Sequence, residues 1–87
     1  RKVQYLSIKS MRGKICKFLS EEWSKNEKDF FDIPYNRNEL AEFLNVSRPS
    51  MSRELKKMKE EGLIDFYQSS FRIINREELF ELASHLH

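Results

Sequence analysis

The chain has 87 residues, with 16 Lys plus Arg against 14 Asp plus Glu and a formal net charge of +2. That length allows one domain with a modest core and leaves little surface for a deep enzyme pocket. The single cysteine, Cys16, excludes an intrachain disulfide and a cysteine-based zinc site; the sequence also lacks a secretory leader and any apolar run of the roughly 18 residues a membrane span needs.

The expected setting is therefore a reducing cytoplasm, with no membrane partner. Charge is unevenly distributed. Residues 1–20 hold Arg1, Lys2, Lys9, Arg12, Lys14 and Lys17 and no acid, a local basic patch that reads as an electrostatic footprint for nucleic acid. The first residue is Arg rather than Met, so the chain is expected to be a fragment, processed or partly disordered at its start.

Residues 1–9, RKVQYLSIK, read as a linker or a truncated element. Ser10 is placed to cap a helix from Met11 to about Ser24, with Met11, Ile15, Phe18 and Leu19 on one side and Trp23 flanking them. Gly13 weakens that helix by roughly 1 kcal/mol relative to Ala. Residues 24–29, SKNEKD, read as a polar loop. FFDIP, 30–34, is a short extended run stopped by Pro34, able to pair as a small strand with its aromatics in the core.

Residues 36–62, NRNELAEFLNVSRPSMSRELKKMKEEG, read as two helices about a sharp turn, spanning about 37–61. Asn36 and Glu39 form a capping box, and Leu40, Phe43 and Leu44 an apolar face. Asn45 supplies the left-handed backbone that the turn requires, and Val46 fills the angle. Ser47 caps the second helix, and Pro49 sits in its first turn, where a missing N–H costs little. In that helix, about 48–61, Met51, Leu55 and Met58 share one face. Arg53, Lys56, Lys57 and Glu60 lie roughly opposite, and Gly62 stops it. With Leu63, these apolar residues are the expected core. This is a helix-turn-helix pattern, whose second helix would enter a DNA major groove with its N-terminal end leading.

Residues 63–74, LIDFYQSSFRII, predict a two-stranded wing. Gln68, Ser69 and Ser70 offer no Gly for a tight primed turn, so a looser loop of three or four residues is expected. Asn75 with Glu78 predicts a last capping box, opening a helix over about 76–86 with Leu79, Ala83 and Leu86 on its apolar face and Phe80 and Leu82 flanking. The expected fold is mostly α with a small β-hairpin: a winged helix-turn-helix of three core helices, a wing and a C-terminal helix, occupying residues 10–87.

Arg53 is the leading candidate for base reading, because its fork matches guanine O6 and N7. Arg48 is placed to read a base or clamp a phosphate. Ser47, Ser50 and Ser52 are candidates for phosphate oxygens, contacts that position without specifying sequence. So are Lys56 and Lys57, although Lys56 and Glu60 also suit a solvated ion pair one turn apart. Asn36, Arg37, Gln68, Ser69, Ser10 and Lys14 are flanking candidates. Most of Trp23, Tyr35 and the phenylalanines are expected to fill the core. His85 and His87 sit two apart at the C-terminus and do not share a helix face, so no metal site is expected.

Residues 40–64, LAEFLNVSRPSMSRELKKMKEEGLI, closely resemble the DNA-binding part of the cyclic-AMP receptor/fumarate–nitrate regulator (Crp/Fnr) family of bacterial transcription factors. LSIKSMRGKICKFL, 6–19, resembles the end of that family's long dimerisation helix followed by the first helix of its DNA-binding domain. The resemblance implies that residues 1–9 are a hinge or the tail of that dimerisation helix. It also implies that most of the helix, and a jelly-roll sensor barrel, lie outside this chain. Homodimers binding palindromic promoter sites, contact with RNA polymerase, and an effector of unknown identity bound by the sensor are further implications. Arg53 matches the family's guanine-reading arginine, Arg48 a residue that touches bases or phosphates, and Ser50 and Ser52 small or hydroxyl positions. Pro49 departs from a frequent glutamate, so base reading there is lost or replaced by apolar contact. Asn45 stands where Gly is usual.

No cofactor is expected within this fragment. The absence of a Gly-rich phosphate loop, a Ser/His/Asp set and any His or Cys cluster argues against an enzyme. The alternative is a winged helix used for protein–protein contact without DNA readout, since the fold alone does not decide function. Such a surface should carry apolar anchors, whereas this second helix offers Arg, Ser and Lys. A one-domain dimer of the multiple-antibiotic-resistance type needs further dimerisation helices at both ends.

Overall fold

Each helix of the structure, a computed structural model describing residues 10–84, starts on a cap supplied by the residue that precedes it. The reading of residues 1–9, and those of Leu86, His85 and His87, lie outside the described residues. Helix α1 spans Met11–Asn26, and Gly13 N–H donates to Ser10 Oγ at 2.8 Å. It runs two residues past Ser24 because Glu27, at φ 55°, takes the left-handed conformation and donates its N–H to Trp23 O.

Helix α2 spans Arg37–Leu44. Its box is reciprocal: Glu39 N–H donates to Asn36 Oδ1 at 2.8 Å, and Asn36 N–H to Glu39 Oε1 at 2.9 Å. Asn45, at φ 60°, closes it. Val46 N–H reaches Ala41 O at 3.0 Å and Asn45 N–H reaches Glu42 O at 3.1 Å, the paired bonds that satisfy a helix's last carbonyls. Helix α3 spans Arg48–Glu60, with Ser50 N–H donating to Ser47 Oγ at 3.3 Å. Gly62, at φ 78°, ends it through the same pair of bonds, Leu63 N–H to Met58 O and Gly62 N–H to Lys59 O, each 3.0 Å. Helix α4 spans Arg76–Ser84. Glu78 N–H donates to Asn75 Oδ1 at 3.2 Å. Asn75 N–H bonds Leu63 O, so the Glu78 carboxylate accepts from the Asn75 side-chain amide instead.

Strands β1 (Phe30–Asp32), β2 (Ile64–Tyr67) and β3 (Ser70–Ile73) form one antiparallel sheet in the order β1-β3-β2. The register pairs Phe31 with Phe71, and Phe71 in turn with Phe66. The loose wing loop expected from the sequence is not formed. Tyr67 pairs with Ser70, leaving a two-residue connection in which Gln68 takes φ 54°. Tertiary hydrogen bonds offset the cost of a left-handed Gln. Ser69 Oγ donates to Tyr35 O at 2.9 Å, Ile33 N–H donates to Ser69 O at 2.9 Å, and Ser70 Oγ donates to Asp32 Oδ1.

The core lies where α1, α3 and α4 meet the inner sheet face. Leu40, Leu44, Met51, Leu55, Met58 and Leu63 are all buried there, with Ile15, Leu19, Phe71 and Leu79, while Val46 packs against them partly buried. Each such side chain contributes about 1.5–3 kcal/mol on leaving water. Trp23 is peripheral: it meets Phe80 edge-on at 5.2 Å and donates Nε1–H to Asp29 Oδ1 at 2.8 Å, joining α1 to α4 and to the loop. Cys16 is fully buried, and desolvation pushes its thiol up to about 12. Among the described residues no helix is long and apolar enough to cross a membrane, and no group of three or more His, Cys, Asp or Glu could hold a metal ion.

Candidate nucleic-acid interface

Helix α3 is held by one face. Met51, Leu55 and Met58 recur at helical spacing and are completely or almost completely buried. Burying that face turns Arg53, Lys56 and Lys57 to solvent, and Arg48 and Pro49 are exposed in the first turn. Arg53 donates from Nη2 to Ser50 Oγ at 3.2 Å, which draws its guanidinium back toward the N-terminal end of the helix. Ser47 Oγ accepts the capping bond. Ser50 and Ser52 are half-buried on the flanks.

The ion pairs of the domain largely bypass this face. Lys59 pairs with Asp65 at 3.2 Å, but among the described residues Arg48, Arg53, Lys56 and Lys57 pair with no acid. The solvated pair that Lys56 and Glu60 also suit is not formed. The described cations of the basic run, Arg12, Lys14 and Lys17, behave in the opposite way. Arg12 bonds Glu54 and Glu61, Lys14 is buried with Nζ donating to Asn45 O at 3.5 Å, and Lys17 lies 3.6 Å from Glu21. Ser10 is engaged as the α1 cap. The described part of that run is committed inside the domain, whereas four cations without an ion pair among the described residues lie together on α3.

A second group of candidates converges beside α3. Asn36, Arg37, Asn38, Arg48, Gln68 and Ser69 line a shallow groove of about 430 Å³ between the N-termini of α2 and α3 and the β2–β3 turn. Arg48 Nη1 donates to Asn38 Oδ1 at 3.4 Å, linking the two helices. Arg37 lies over the rings of Phe66 and Phe71, at 5.2 and 5.1 Å. Burial holds its guanidinium below its ordinary value, and the charge of Arg48 adds to the shift. Asn36 commits its Oδ1 to the helix cap and keeps its amide N–H groups. Ser69 donates its hydroxyl inward to Tyr35 O, so its side chain acts first as a brace for the turn.

Asn38 is the groove residue that sequence reasoning missed. Its signal was an uncommitted amide on the exposed first turn of α2, next to Arg37. Among the described residues, the large apolar side chains that remain exposed, Phe30, Phe43, Tyr67 and Ile74, all lie outside α3. The arrangement can therefore hold anions along a groove and present guanidinium forks beside it.

Comparison with known proteins gives the same outline. Residues 13–82 match the Crp-like helix-turn-helix domain. Over 79 residues the chain is 28% identical to "Probable transcriptional regulator flp" of Lacticaseibacillus casei, covering 91% of this chain and 36% of that protein. A Crp/Fnr-family protein from Eubacterium rectale superposes with a TM-score of 0.75 at 25% identity, over 87% of this chain and 34% of the other. FixK2 from Bradyrhizobium japonicum gives a TM-score of 0.73 at 19% identity, over 84% and 38%, a likeness of fold. The chain thus spans little more than a third of the length of the proteins it matches.

Proposed function

The chain belongs to the Crp-like helix-turn-helix domain family, and from that premise we propose that it reads double-stranded DNA in a sequence-specific way, with α3 in the major groove. Domains of this family are parts of transcription regulators and bind DNA; the family is not one of enzymes. In this reading Arg53 is the main base reader and Arg48 the second. Each good bidentate arginine–guanine pair contributes roughly 1–3 kcal/mol of discrimination. Asn36, Arg37 and the backbone of the β2–β3 turn hold the phosphate backbone along the groove. Ser47, Ser50, Ser52, Lys56 and Lys57 follow the flanking strand.

The observation that carries the reading is the set of four cations on the exposed side of α3, Arg48, Arg53, Lys56 and Lys57, that form no ion pair among the described residues. Mutual repulsion makes such a cluster unfavourable alone, and a polyanion relieves it. A protein-docking helix would instead expose apolar anchors, and among the described residues the large exposed apolar side chains lie elsewhere.

One helix-turn-helix reads one half-site. We place the rest of the system outside these residues: a homodimer on palindromic promoter sites, contact with RNA polymerase, a sensor domain with its effector, and a cytoplasmic setting. The test is duplex binding by the 87-residue chain at rising salt. The expected result is weak binding whose log affinity falls linearly with log salt, as counterions are released. No retention of duplex at low ionic strength contradicts the proposal.

A further inference from the structure

The basic side chains of the first turn of α1 are both turned onto the helix-turn-helix. Arg12 donates through Nε to Glu54 Oε2 at 2.6 Å, and through its two terminal nitrogens to the Glu61 carboxylate at 2.6 and 3.0 Å. Lys14 reaches the carbonyl of Asn45, the residue whose left-handed backbone makes the turn. One turn of α1 therefore holds the unit at three places: the turn, the middle of α3 and its C-terminal cap.

The apolar contacts of α3 do not by themselves fix its pose. Two of its three buried anchors are Met51 and Met58, flexible unbranched side chains that repack around small slides and rotations. A guanidinium shared between two carboxylates is directional and tolerates little displacement. Glu54 directly follows Arg53 in the sequence. Glu54 and Arg12 are both part-buried, with side-chain exposures of 18% and 23%, so their bond is less screened than a surface pair.

We infer that Arg12, together with Glu54 and Glu61, is a positioning unit for DNA reading: it fixes the rotation and slide of α3 against α1, and so sets where Arg53 meets a base edge. Arg12 touches no DNA in this scheme. The inference rests on α3 being the reading helix. Its consequence is specific, because recognition needs side chains held to within about 0.5 Å. A loosened α3 still attracts phosphates but discriminates bases poorly.

The test compares the wild type with Arg12→Gln, Arg12→Lys, Glu54→Gln with Glu61→Gln, and the triple variant. Each is titrated with the duplex that the wild type prefers and with a scrambled duplex, at a temperature where circular dichroism shows it folded. The ratio of the two affinities is the readout. Arg12→Gln is expected to lower that ratio about five-fold, a typical coupling within one ion-pair network. Arg12→Lys should recover only part of it, since one ammonium cannot fork between two carboxylates. Adding Arg12→Gln to the double Gln variant should lower the ratio no further. If Arg12→Gln fails to fold, Glu54→Gln alone, which keeps the side-chain shape, is expected to lower the ratio in the same direction. A lower Tm with an unchanged ratio overturns the inference and leaves Arg12 as a plain structural residue. Losses that add across the cycle overturn it too. A wild type that prefers no duplex removes the reading of α3 itself, a result distinguishable from failure of the variants alone.

Discussion

Arg53 and the half-buried Ser50, three residues apart on α3, are joined by a 3.2 Å hydrogen bond from Nη2 to Oγ. The bond holds a long, otherwise free guanidinium near the leading end of the helix. It also leaves the other guanidinium donors without a partner among the described residues. A fork constrained in this way loses less conformational freedom when it meets a second pair of acceptors. Ser50→Ala is accordingly expected to weaken binding of the preferred duplex by a few-fold, with little change in Tm; equilibrium titration beside a melting curve checks both.

Pro49 lies exposed in the first turn of α3, one turn before Arg53 and next to Arg48. It has no side-chain donor or acceptor, so the base-edge group it suits is the thymine methyl. Replacing thymine by deoxyuridine, one position at a time, in the preferred duplex is expected to weaken wild-type binding at one position by a few-fold. The same replacement should have no effect on Pro49→Gly. Competition titrations with the paired duplexes measure it.

Arg37 has a different task. It sits over the Phe66 and Phe71 rings and lines the groove rather than α3. Arg37→Ala is expected to weaken preferred and scrambled duplexes equally and to reduce the salt slope by about 1, as for loss of one phosphate contact. Affinities at several salt concentrations give both numbers.

The local devices of this fold were legible because their information is local. Asn36 with Glu39, Ser47 before Pro49, and Gly62 after the last buried Met each specify a helix end within a few residues. The wing turn was not legible, since Gln68 is held left-handed by bonds between Ser69 and the distant Tyr35 and Ile33. Nor was the fate of Arg12 and Lys14. The acids that bond Arg12 are 42 and 49 residues away in sequence, so charge counting alone does not show that this cation is engaged inside the domain. The groove shared the difficulty: Asn38 and Arg48 meet only because the turn at Asn45 folds the two helices together.

Cys16 gives a pH-dependent check on the core. Burial raises the pKa of its thiol from 9.0 to about 12, so the folded state holds a proton that the unfolded chain releases earlier. The associated stability is fully present below about pH 9 and is lost as pH rises toward 12. Thermal melts of the wild type should fall across that window, and Cys16→Ala, although less stable throughout, should lack this component. At neutral pH the native thiol should resist alkylation and react promptly in denaturant.

The most direct measurement is selection of duplexes from a randomised pool by the wild type and by Arg53→Ala, followed by titration of the selected sequences. The wild type is expected to enrich a motif with a fixed guanine, and Arg53→Ala to lose that guanine and roughly ten- to hundredfold in affinity for the motif. Recovery of the same motif with the same affinity by Arg53→Ala would contradict the assignment of α3 as the reading helix.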